Sequence, residues 1–177
     1  MDIHNAPVRS ADASNDDNAN AQNLPRMAVR VGELGLLLPW DGGREVLPAP
    51  PASRIPNTVS WLRGISNVRG ALVPVIDVAA ALGVTSAAGV PAYLLICGDG
   101  DNALGLLIDG LPRVLEINIA RLRPDRLVVP ALLRASVIAA YEQDGRNWLD
   151  LDLDLLFETL DGEITRFQAR DAKSSVL

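Results

Sequence analysis

The chain has 177 residues, 49% of them hydrophobic, which suffices for a packed core in one ordinary domain or two very small ones. Its formal charge of -6 and isoelectric point near 4.7 exclude a nucleic-acid partner as the expectation, since a phosphate backbone calls for clustered Lys and Arg. No run approaches the roughly 18 apolar residues of a membrane span and the N-terminus lacks an apolar signal region, so direct membrane insertion is not expected and a cytoplasmic location is the default. Cys97 is the single cysteine, so no intramolecular disulfide can form, and Lys173 is the single lysine among basic residues that are otherwise arginines.

Residues 1–24 are rich in Asn, Asp, Ala and Ser and cannot bury enough apolar surface to offset ordering entropy, which predicts a disordered tail. His4, the only histidine, lies there and reads as an incidental solvated residue. Strands are predicted at 27–31, at 34–38 after a Gly32-Glu33 turn, and at 44–47 after Gly42-Gly43. The prolines of residues 48–56 hold that stretch extended, as a loop within the domain. Residues 61–82 then carry the densest signal of order. Gly64 to Val68 alternates, Arg69-Gly70 supplies a turn, and the following strand is nearly all apolar. Asp77 stands where a helix N-cap belongs, and Val78 to Leu82 ends at a C′ glycine, Gly83. Pro74 has no N–H to donate, so its strand should lie at an edge, or expose that position to a bulge or a partner.

Further strands are predicted at 93–97, 103–108 and 114–117, with Cys97 a small core residue. Leu34-Gly35-Leu36-Leu37-Leu38 recurs seventy positions later as Leu104-Gly105-Leu106-Leu107-Ile108, and Val75-Ile76-Asp77 with its helix is echoed by Leu151-Asp152 with a helix at 153–160. The fold class that follows is mainly β: two similar small β-barrel subdomains related by an internal repeat, about 25–83 and 92–160, each with a short helix after its hairpin, and a C-terminal tail at 161–177. Only the first copy has the Asn67-Val68-Arg69-Gly70 turn, which makes that turn the better functional candidate. Arg63, on the same hairpin, is expected to be exposed with Arg69 as a local basic patch.

Asp150, Asp152 and Asp154 alternate, but a calcium loop starting at Asp150 would need glycine where Leu155 stands and glutamate where Asp161 stands. A strand with leucines inward and aspartates outward, with Asp152 or Asp154 capping the last helix, is the better account. Gly98-Asp99-Gly100 lacks the Gly-Lys-Ser/Thr ending of a phosphate loop. With one histidine, in the tail, no nucleophilic triad can be assembled; no cofactor, no metal and no enzyme activity is expected.

Residue for residue, the central stretch resembles the signature of the CheW-like domain of bacterial chemotaxis coupling proteins, a Gly-Ile/Val-x-Asn-x-Arg-Gly turn followed by a Pro-Val-Ile/Val-Asp strand and a short helix. Gly64, Asn67, Arg69, Gly70, Pro74, Val75, Asp77 and Leu82 carry the likeness, which extends over about 25–160. The first strand lacks the family's usual aromatic, and residues 48–56 also depart from its pattern. What the resemblance implies is two five-stranded barrels around a shared apolar core, acting as an adaptor between the cytoplasmic tip of methyl-accepting chemoreceptors and the regulatory domain of a CheA-type histidine kinase. It further implies partner contacts at Arg63, Asn67, Val68, Arg69, Gly70, Pro74 and Asp77. The wording of residues 61–70 and 79–83 looks more like the PilI adaptors of type IV pilus twitching motility than like flagellar CheW. The alternatives are a flagellar chemotaxis adaptor, a small-barrel ligand-binding module, or an enzyme using carboxylates.

Overall fold

The computed structural model describes residues 23–86, 89, 91–118, 129–143 and 145–174. The first half of the chain supplies β1 (Asn23–Val31), β2 (Leu34–Leu38), β3 (Gly43–Pro48), β4 (Leu62–Val68), β5 (Ala71–Asp77) and helix α1 (Val78–Leu82). The second half repeats the series as β6 (Tyr93–Cys97), β7 (Leu104–Ile108), β8 (Arg113–Asn118), β9 (Val137–Gln143), β10 (Arg146–Leu151) and helix α2 (Leu153–Ser174). The expected tail, with His4, lies outside the described residues, except that Asn23 and Leu24 already open β1.

Ten strands form two curled five-stranded sheets, in the orders β8-β1-β2-β10-β9 and β3-β6-β7-β5-β4. Replacing each strand by its counterpart in the other half turns one order into the other, so the repeat seen in sequence is a two-fold symmetry of the fold. The expected division into consecutive subdomains at 25–83 and 92–160 needs correction: each sheet takes two strands from one half and three from the other. Two parallel pairings, β2 with β10 and β5 with β7, stitch the halves together.

Burial on both faces explains the uninterrupted apolar runs. Leu36 and Leu38 point into a core shared by the two sheets, with Leu106, Ile108 and Leu149, while Leu37 between them joins Ala28, Ile117, Tyr141 and Trp148 inside the first sheet. Leu107 likewise turns inward with Val73, Val75, Leu94 and Ile96 inside the second. The glycines of the two Leu-Gly-Leu runs make room for this: a Cβ on Gly35 would lie 2.5 Å from the Trp148 ring, and one on Gly105 2.8 Å from Leu94. Cys97 is fully buried in the shared core, and loss of solvation pushes its thiol up to about 12, so it is packing material and not a thiolate.

Both helices are capped as the repeat suggests. Asp77 Oδ1 accepts from the Ala80 N–H at 2.9 Å, Asp152 Oδ1 accepts from the Leu155 N–H at 3.0 Å, and Gly83 closes α1 with φ of 68°. The tail expected at 161–177 is instead helical through Ser174. Leu153, Leu156 and Leu160 anchor α2 to the core and Ile164 packs against it, after which the helix face is largely exposed. Asp150 departs from the expected outward-facing aspartates. It is buried within the first sheet, where Arg26 reaches it from β1 at 3.1 Å. Burial raises its pKa, and the arginine opposes that rise without cancelling it.

Pro74 is not on an edge strand, because β5 lies between β4 and β7. The β5–β7 ladder begins only at Val75 opposite Gly105, so β4 is the only strand paired with residues 71–74 among the described residues, and the missing N–H falls where no second ladder needs it.

Candidate functional site

The β4–β5 hairpin closes in a two-residue loop, Arg69 and Gly70, between the paired Val68 and Ala71. Both loop residues have positive φ, 51° and 91°, the combination that follows the right-handed twist of the strands. An arginine in the left-handed region costs on the order of 1 kcal/mol. Asn67 offsets part of this by accepting the Gly70 N–H on its side-chain oxygen at 2.8 Å. Val68 is half-buried against the interior of the second sheet and fixes the hairpin's base.

The turn holds the Arg69 side chain outward, 80% exposed, with one guanidinium nitrogen 2.6 Å from Glu45 Oε1. Glu45 belongs to β3, which forms the opposite edge of the same sheet from β4. The pair therefore spans the two edges that the curl of the sheet brings together. At the symmetry-related place in the first sheet, Gln143 on β9 donates to the Glu116 carbonyl on β8 at 3.1 Å. The first barrel closes with a neutral contact, whereas the second closes with an exposed ion pair. An exposed pair stabilises by only about 0.2–1 kcal/mol, so its placement matters more than its strength.

Arg63 is placed differently. Its Nε lies 3.6 Å from Asp77 Oδ2, on the same carboxylate that caps α1, and the Asp77 N–H donates to the Trp61 carbonyl at 2.8 Å. Asp77 is thus a buried organiser of the strand-to-helix corner. Arg63 and Arg69 stand at opposite ends of β4, about 20 Å apart at strand spacing, and each has its own carboxylate. The expected joint basic patch is not formed. Gly64, between them in sequence, has φ of 133°, and a Cβ there would lie 2.0 Å from the Ser53 carbonyl oxygen. That glycine lets residues 48–56 cross close over β4, where Ser53 and Ile65 exchange two backbone hydrogen bonds. Pro74, opposite Ile65, faces this crossing from β5.

A neighbouring feature was not visible in sequence. At the seam of the two sheets, a groove of about 360 Å³ is lined by Met27, Leu95, Trp40, Leu111 and Val114, with Glu45 also on its wall. Trp40, Leu111 and Val114 are more than half exposed, an apolar cluster unusual for a free surface. Glu45 joins this groove to the Arg69 turn. Among the described residues, no group of three or more His, Cys, Asp or Glu is placed to hold a metal ion.

An exposed charged turn thus lies beside an apolar seam on a symmetric double-barrel β scaffold. The model of the CheW-like domain matches residues 26–161. The chain belongs to the CheW-like domain family and is a CheW-like scaffold of chemotaxis-type signalling. Among curated relatives, the probable chemotaxis protein CheW of Rhizobium etli is 26% identical over 138 residues, covering 77% of this chain and 89% of its own. Protein PilI of Pseudomonas aeruginosa is 29% identical over 89 residues, half of each chain. In fold, the chain is similar to the crystal structure of the scaffolding protein TtCheW from Thermoanaerobacter tengcongensis, with a TM-score of 0.61 at 23% identity, covering 76% of this chain and 92% of that one. No helix of the described residues is long and apolar enough to cross a membrane.

Proposed function

We propose that this protein is a cytoplasmic adaptor that couples the tip of methyl-accepting chemoreceptors to the regulatory domain of a CheA-type histidine kinase. The observation that carries the proposal is the continuity of the Arg69 turn with the apolar groove through Glu45. A scaffold must hold two partners at once, and this arrangement offers a charged anchor on the barrel closure and an apolar slot beside it, the two elements from which tight interfaces are built. Arg69 is the direct contact; Asn67, Gly70 and Val68 set its direction, while Arg63, Pro74 and Asp77 shape the rest of the hairpin. The pathway we infer is type IV pilus twitching motility, on the wording of residues 61–70 and the similarity to PilI. Flagellar chemotaxis is the competing assignment, favoured by the greater coverage of relatives named CheW.

A pull-down with the full chain as bait from its own lysate tests the adaptor reading. It should recover a histidine kinase and a chemoreceptor together, and recovery of neither would sink it. Deletion of the gene decides the pathway: loss of surface twitching with intact swimming supports the pilus assignment, and the reverse phenotype supports the flagellar one.

A further inference from the structure

A separate cavity adjoins the hairpin at Arg63 and shares no lining residue with the Trp40 groove. About 810 Å³ opens beneath residues 49–55, between that loop and the second sheet. Its apolar floor is made by Leu62, Val75 and Leu107, and the guanidinium-bearing side chains of Arg54 and Arg63 line its wall. The loop above is fixed at several points: Ala49 N–H donates to the Ala92 carbonyl, the Ser66 hydroxyl donates to the Pro51 carbonyl at 2.7 Å, and Ser53 bridges to Ile65. Prolines at 48, 50, 51 and 56 stiffen it further. The cavity is therefore preformed and does not depend on a loop closing.

The geometry points to a binding site for a small organic anion with an apolar body, its carboxylate or sulfonate on Arg54 with Arg63 beside it, its hydrocarbon on the floor. Charge selects the class. Among the described residues Arg54 makes no ion pair, and Arg63 Nε lies 3.6 Å from Asp77, so the cavity wall carries an unpaired guanidinium at Arg54 in a protein whose net charge is -6. The volume fits a ligand of ordinary metabolite or dye size, and apolar walls with a few convergent polar groups are what such sites consist of. This assignment does not rest on the adaptor reading: the cavity meets the hairpin at Arg63 but shares no lining residue with the Trp40 groove.

The probe is 8-anilinonaphthalene-1-sulfonate, titrated by fluorescence into the full chain, with N-phenyl-1-naphthylamine as its uncharged counterpart. Saturable binding of one sulfonate per chain is expected, weaker for the uncharged dye. Loss of the charge-assisted contact in Arg54→Ala should weaken the sulfonate about tenfold. Leu111→Asp, in the other groove, should leave it unchanged. Equal affinity in Arg54→Ala and wild type, loss of binding in Leu111→Asp, or no saturable binding would each overturn the assignment. Arg54 is exposed, so its replacement does not threaten the fold.

Discussion

Replacing Arg69 by Glu separates a binding role from a folding role. The guanidinium is 80% exposed and its partner Glu45 31% exposed, so losing the pair removes about 0.2–1 kcal/mol. Two carboxylates left about 4 Å apart in water repel by about 1 kcal/mol more. At about 2–4 °C per kcal/mol for a domain of this size, Tm should fall by roughly 2–8 °C with the native circular dichroism retained. Binding should respond far more strongly. Truncating one partner of a buried interfacial charge pair costs about 2–5 kcal/mol, which is at least roughly thirtyfold in Kd. Calorimetric titration against the purified kinase regulatory domain and a receptor-tip fragment assigns the loss to one partner or to both. A second variant, Glu45→Arg with Arg69→Glu, restores the internal pair with its charges exchanged. Direct contact by Arg69 predicts that this exchange recovers Tm without recovering affinity. Undiminished affinity of Arg69→Glu for both partners would refute the reasoning and leave Arg69 as a turn residue that merely closes a barrel.

Leu36→Asp and Leu106→Asp should each prevent folding, because both side chains are buried in the shared core and burying a lone carboxylate costs several kcal/mol, comparable to total stability; native circular dichroism in either variant would contradict the assigned core. Gly35→Ala should lower stability by about 1–3 kcal/mol through overpacking against Trp148, read from the urea midpoint, and a midpoint equal to wild type would show that the ring shifts freely. For Asp150, the folded-state pKa lies above the ordinary 3.8, so the folded state keeps its proton longer than the unfolded chain as pH rises. Its contribution to stability therefore declines with increasing pH from about 4 up to the raised folded value, and Asp150→Asn should flatten that part of the profile in urea titrations at stepped pH. An unchanged slope would place the buried charge elsewhere.

Much of the local structure was legible because it is written in near neighbours. The apolar runs, the Arg69-Gly70 turn, the Asp77 cap and the Gly83 stop each depend on residues within a few positions of one another, and all stand where the sequence puts them. The internal repeat was legible as well, since Leu34 to Leu38 and Leu104 to Ile108 match position by position. Which strands exchange between the halves was not, because a repeat states equivalence and says nothing about pairing, and the pairings that join the halves, parallel and antiparallel alike, are distant in sequence. Asp150 looked like a surface residue for the same reason: the arginine that accompanies it into the interior is 124 positions away. Pro74 suggested an edge, which holds for the side of residues 71–74 away from β4 and not for the strand as a whole. Helix α2 outran its expected end because residues 161–174 lack an apolar stripe, the signal by which a helix is recognised in sequence, although they remain good helix formers bearing an Arg166–Glu163 ion pair. The Trp40 groove escaped because exposure of a tryptophan beside a turn is a property of the assembled seam.

The central claim is that one molecule holds receptor and kinase at the same time. Size-exclusion chromatography with in-line light scattering, on an equimolar mixture of this protein, the kinase regulatory domain and a receptor-tip fragment, tests it directly. The adaptor account predicts a peak whose mass contains all three components, lost when Arg69→Glu replaces the wild type. Two binary complexes that exclude one another, or a protein that elutes alone at its 18.9 kDa monomer mass, would contradict it.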